Sequence, residues 1–122
     1  IRVKVVDVPS PEAAEKATLI TEANCAAAKK SDTELLVLKL EATASRRDGW
    51  FCPDRWLLES TTQQRTKSRR VGPGWYYCRI IPVGSKESAA VAYRIPSDFK
   101  PARLWEKSTH PRGSNPTLLR FR

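Results

Sequence analysis

Apolar and polar residues alternate at the start of the chain, where Ile1, Val3 and Val5 are set against Arg2 and Lys4, and the alternation breaks at Val5–Val6. The pattern predicts a strand over residues 1–8 that ends in a bulge or buries both faces. Ser10, Pro11 and Glu12 then supply an N-cap, a first-turn proline and an acid suited to the positive end of a helix. The predicted helix runs to Lys29 or Lys30. Its apolar arc is Ala13, Ala17, Ile20, Ala23, Ala27 and Ala28, with Asn24 at the edge and Glu12, Glu15, Glu22 and Lys29 opposite. An arc of alanines lets a helix approach closely, and a sheet is the partner that a strand-rich chain offers.

Residues 34–43 give the clearest strand signal. Leu36, Leu38, Leu40 and Ala42 share one face while Leu35 and Val37 make part of the other apolar, which predicts a place near the middle of a sheet. Residues 45–49 read as a charged turn. In 50–60 Pro53 interrupts an aromatic run, so Arg55–Ser60 is expected as an edge strand. A polar loop over 60–74 leads into a strand over Trp75–Val83, which is expected to form a hairpin with Ala89–Ile95. From Ser97 onward three prolines and no sustained period predict an irregular tail, pinned by Phe99, Leu104, Trp105, Leu118, Leu119 and Phe121. The expected fold is α+β: one N-terminal helix packed on a mostly antiparallel sheet of about five strands, with residues 1–96 compact and 97–122 an extended basic tail wrapping the same domain.

At 122 residues the chain is long enough to bury roughly two thirds of its unfolded surface as one domain. Its 40% hydrophobic and 29% charged content is that of a globular protein, and no apolar run approaches the roughly 18 residues of a membrane span. The first residue is Ile1 and Met is absent, which leads us to expect a trimmed chain, secreted, organellar or ribonucleoprotein-associated.

Charge changes the picture more than composition does. Residues 1–60 carry nine Lys or Arg and ten Asp or Glu, net −1, whereas residues 61–122 carry thirteen and three, net +10. One positive face would concentrate RNA or another polyanion. Within the basic half, Arg65, Lys67, Arg69 and Arg70 run into the turn Gly72–Pro73–Gly74 and then into Trp75, Tyr76, Tyr77, Cys78 and Arg79. Cations for phosphate beside rings for stacking are the ingredients of a single-strand-binding surface. Lys100, Arg103, Lys107 and Arg112 extend the candidate surface along the tail. The leading expectation is a basic RNA- or polyanion-binding domain, such as a ribonucleoprotein component, that needs no cofactor.

Cys25, Cys52 and Cys78 are an odd set that allows three pairings. Cys52 with Cys78 is the preferred one, because both lie in strand-like aromatic surroundings while Cys25 lies in the alanine-rich segment. No short Cys/His spacing supports a zinc site and no acidic cluster supports calcium. GPG at 72–74 lacks the lysine and helix of a phosphate-binding loop.

His110, the one histidine, is the one ready acid or base near neutral pH. RNA cleavage can be run by a carboxylate that accepts the 2′-hydroxyl proton, an arginine that stabilises the phosphorane and a histidine that protonates the leaving oxygen. The candidates in chain order are Glu41 or Glu59, then Arg79 or Arg94, then His110. A helix, an antiparallel strand-rich half and that residue order resemble the microbial ribonuclease fold. The resemblance implies a secreted ribonuclease-like protein, either an active enzyme or a catalytically dead effector or toxin that binds a host partner, for which Trp50, Trp56 or Trp105 would supply anchors. Whether the chain is an enzyme stays open at this point.

Overall fold

The computed structural model describes residues 1–21, 33–70, 72, 75, 77–107 and 117–118. Among them, β1 (Arg2–Asp7), β2 (Thr33–Thr43) and β7 (Lys86–Pro96) make a three-stranded sheet in the order β1-β2-β7. β3 (Gly49–Phe51) and β6 (Arg79–Ile81) make a two-stranded ribbon. β4 (Trp56–Ser60), β5 (Arg65–Thr66), β8 (Pro101–Glu106) and β9 (Thr117–Leu118) make a four-stranded sheet in the order β5-β4-β8-β9. Every pairing is antiparallel.

β2 is the hinge of the first sheet, paired with β1 on one side and along all eleven of its residues with β7 on the other. Its Leu38, Leu40 and Ala42 face the main core, and its Leu35 and Val37 face a second, smaller cluster with Ala14, Ile20 and Ala92. A strand apolar on both sides therefore lies between two partners, as its pattern requires. The break at Val5–Val6 coincides with a register shift between Val5 and Asp7 in the β1–β2 ladder.

The main core joins all three sheets. Phe51 and Ile81 from the ribbon, Trp56, Leu58 and Leu104 from the four-stranded sheet, and Val91, Tyr93 and Ile95 from β7 meet Leu38 and Leu40. Cys52 and Cys78 are disulfide-bonded, which fastens the entry to the four-stranded sheet to the segment leading into β6.

The fold is therefore mostly sheet, and the expected α+β arrangement with a long N-terminal helix on one sheet is wrong. α1 spans Pro11–Lys16 only, capped by the Ser10 hydroxyl, which accepts the Ala13 N–H at 3.1 Å. It ends because Thr18 adopts a left-handed conformation, φ 58°. The Thr18 N–H then bonds the Glu15 carbonyl at 3.0 Å and the Leu19 N–H bonds the Ala14 carbonyl at 2.8 Å, the two-bond arrangement that closes a helix. Gly72 lies directly against the Leu19 carbonyl, where a Cβ would overlap it, so this turn also seats the basic segment. The rest of the expected helix, beyond Thr21, lies outside the described residues.

Other expectations also change. Pro53 sits in a 3-10 turn over Pro53–Arg55, outside the ladder, which frees β4 to pair on both sides rather than lie at an edge. β6 pairs with β3 and not with β7, whose partner is β2. The expected irregular tail contributes β8, a full partner of β4, with Leu104 fully buried and Phe99 in the core. Pro101 opens that strand opposite Ser60, at the register shift between Glu59 and Ser60, a position that tolerates a missing N–H. Among the described residues no helix is long and apolar enough to cross a membrane.

Candidate functional site

The four-stranded sheet has one face on the core and one face outward. Along β4, Trp56 and Leu58 point to the core, so Leu57 and Glu59 belong to the outer face. The register places Trp105 opposite Leu57, and Arg103 and Arg65 on the two sides of Glu59. Beyond β5 the exposure alternates, with Arg65, Lys67 and Arg69 exposed, Thr66 half-buried and Ser68 buried. Arg55 and Lys107 extend the same rows at the other end, joined by a Lys107 N–H to Arg55 carbonyl bond of 2.7 Å, and both are exposed.

Glu59 is the centre of this face. Although it belongs to the outer side, it is only 2% exposed. The Arg65 Nε bonds Glu59 Oε2 at 2.7 Å, and Arg103 Nη1 meets Oε1 at 3.0 Å. The Arg65 guanidinium also lies over the Trp105 ring, 4.7 Å from its centroid. The Arg65 hydrogen bond is the main reason the Glu59 carboxyl is held below its ordinary range; burial works the other way, and Trp105 and the charges of Arg65 and Arg103 add to the lowering. Among the described residues the buried Trp105 indole N–H has no partner at hydrogen-bond geometry. One carboxylate is thus met by two arginines, Arg65 and Arg103, while Arg55, Lys67 and Lys107 stand exposed along the same strands and their extensions.

The turn that brings β5 back to β4 is organised by Ser60. Its hydroxyl oxygen accepts the N–H groups of Thr62 at 3.2 Å and Gln64 at 3.1 Å, and Gln63 takes a positive φ of 68°. Past β5, the Arg69 N–H bonds the Ala92 carbonyl at 2.8 Å, so the basic segment crosses from the four-stranded sheet to β7. That bond fixes its path. Lys100 is exposed beside the same turn, its carbonyl taking the Thr61 N–H at 2.9 Å.

The aromatic residues after the basic segment separate. Trp75 is half-buried, edge-on to Phe51 at 5.2 Å, with its indole N–H donated to the Ser88 carbonyl at 3.0 Å and the Arg79 guanidinium 5.0 Å from its ring. It is engaged in packing. Tyr77 is 64% exposed and carries Arg70 over its ring at 5.7 Å. Tyr76 lies outside the described residues, as do Arg112 and His110.

Of the ribonuclease set, Glu59 meets Arg65 and Arg103 rather than Arg79, which sits in the ribbon. Glu41 is on β2 in the other sheet, 3.5 Å from Lys4. Arg94, on β7, donates to the Thr33 hydroxyl at 3.1 Å. Among the described residues no three His, Cys, Asp or Glu side chains are gathered to hold a metal. Trp105, an anchor candidate from the sequence, lies on this face; Arg55 carries no local signal, and its place follows from bonding to Lys107 across more than fifty residues. No known family model matches the chain, and no characterised protein or solved structure is significantly similar to it.

Proposed function

We propose that the protein binds single-stranded RNA, or a polyanion of similar charge spacing, on the outer face of the four-stranded sheet. The observation that carries this reading is the set of exposed cations, Arg55, Arg65, Lys67 and Lys107, on and beside a sheet whose Glu59 is already neutralised by Arg65 and Arg103. The unspent positive charge attracts phosphate. Alternate residues of an extended segment lie about 6.6 Å apart, which suits Arg65, Lys67 and Arg69 to successive phosphates of an extended strand. Tyr77, which is exposed, and Trp105, which is half-buried, supply rings for bases, each with an arginine over one face.

Binding is favoured over cleavage by the state of Glu59. Both its oxygens are ion-paired and its proton affinity is lowered, which makes it a poor general base at neutral pH. The Cys52–Cys78 disulfide supports maturation in an oxidising compartment, in keeping with a secreted RNA-binding protein.

The test is fluorescence anisotropy of a labelled single-stranded RNA, with a gel at the end point. Saturable binding of RNA that stays intact is the expected result. RNA cut by wild type and left whole by Glu59→Gln would replace binding with catalysis, and no binding at low salt would end the proposal.

A further inference from the structure

A second basic site lies on the other sheet, away from the surface described above. The outer face of the three-stranded sheet is covered at one end by α1 and the turn after it, through Ala14 and Ile20 on Leu35 and Val37. At the other end Arg2, Lys4 and Lys86 are exposed. There the register sets Arg2, Thr43 and Lys86 in one row across three strands and Lys4, Glu41 and Ser88 in the next. Arg2, Lys4, Glu41, Thr43, Ser45 and Lys86 line a cavity of about 350 Å³.

The charges of this cavity are not balanced from within. Lys4 meets Glu41 at 3.5 Å. Among the described residues Arg2 and Lys86 meet no carboxylate within ion-pair distance, and they flank Thr43 from either side. With strands about 4.8 Å apart and β2 between them, Arg2 and Lys86 stand two spacings, about 9.6 Å, apart, a gap across which both side chains can meet one tetrahedral anion. The Thr43 and Ser45 hydroxyls can donate to the same anion. Glu41, which would repel a second anion, is placed to accept a hydroxyl instead.

We propose that this cavity binds a small phosphorylated polyol, the phosphate between Arg2 and Lys86 and a ligand hydroxyl on Glu41. The volume is that of a small-ligand pocket, and the mixture of two free cations, two hydroxyls and one carboxylate suits a sugar phosphate better than a bare polyanion. Its residues are separate from Arg55, Arg65, Lys67, Arg103 and Lys107, so it stands or falls independently of RNA binding.

Glucose 6-phosphate, glucose and inorganic phosphate are titrated into the isotope-labelled protein, following backbone amides. Glucose 6-phosphate is expected to saturate with shifts centred on Arg2, Lys4, Thr43 and Lys86, while glucose gives none. R2Q/K86Q is expected to weaken glucose 6-phosphate at least about tenfold, as is K86Q alone by a smaller factor. Glu41→Gln is expected to weaken glucose 6-phosphate but not inorganic phosphate. Shifts spread over every basic surface, absence of saturation by about 10 mM, or unchanged binding in the double variant would overturn the site. Tighter glucose 6-phosphate binding in Glu41→Gln, or inorganic phosphate binding equally well, would overturn the polyol.

Discussion

Tyr93, fully buried on β7, donates its phenolic hydrogen to the Trp56 carbonyl at 2.8 Å, and this bond ties the three-stranded sheet to the first residue of the sheet that carries the basic face. A buried hydroxyl with a partner stabilises modestly, but the partner left alone is costly. Tyr93→Phe keeps the ring and removes the donor. It is expected to lower stability by about 1–2 kcal/mol, read as a lower urea midpoint with an unchanged slope.

Glu59 makes stability depend on pH in a known direction. Its folded-state pKa is depressed, mainly by Arg65, so the unfolded chain binds the proton first as acid is added. The stabilisation is complete at neutral pH and is lost as pH falls from about 4.3, the unfolded glutamate value, through the lower folded value. Urea unfolding at several pH values is expected to show wild type losing this component in acid. Glu59→Gln should be weaker at neutral pH and have a flatter acid limb.

The disulfide closes a separation of 26 residues that contains the whole basic segment. Loop-closure entropy assigns such a bridge about 3.5 kcal/mol. The double variant Cys52→Ser/Cys78→Ser is expected to unfold at a correspondingly lower denaturant concentration, and faster hydrogen exchange should appear first in the segment around Arg69 and Tyr77.

Thr18 holds a left-handed conformation that disfavours a β-branched residue by about 1–2 kcal/mol. Thr18→Gly removes that strain, offset in part by backbone entropy and by the lost hydroxyl bond to the Ala17 carbonyl. A small gain in stability, about 0.5–1 kcal/mol, is expected, read as a higher thermal midpoint.

The same threonine shows why part of the fold was hidden. β2 was legible because Leu36, Leu38 and Leu40 alternate and Leu35 and Val37 fill the other side, a pattern that local composition carries. The helix end was not: Ala17, Ala23, Ala27 and Ala28 at helical spacing signal continuation, and the stop of α1 comes from a left-handed Thr18 without glycine. Pro53 and Pro101 argued against strands, yet each falls where no ladder N–H is needed. The positive half of the chain was visible by counting. The pairing at Glu59 was not, because Arg65 and Arg103 become its neighbours only through strand pairing, and Arg55 meets Lys107 only through the same sheet. Trp75 looked available for stacking, but its contacts with Phe51, Ser88 and Arg79 engage it in the core.

Lys67 and Lys107 are exposed cations whose side chains make no ion pair among the described residues. The decisive measurement is the salt dependence of single-stranded RNA affinity for wild type and for Lys67→Gln/Lys107→Gln. Each phosphate contact contributes about 0.7 to the slope of log affinity against log salt, so the double variant is expected to bind more weakly with a slope shallower by about 1.4. An unchanged slope and affinity in a folded double variant would contradict the assignment of RNA to this face.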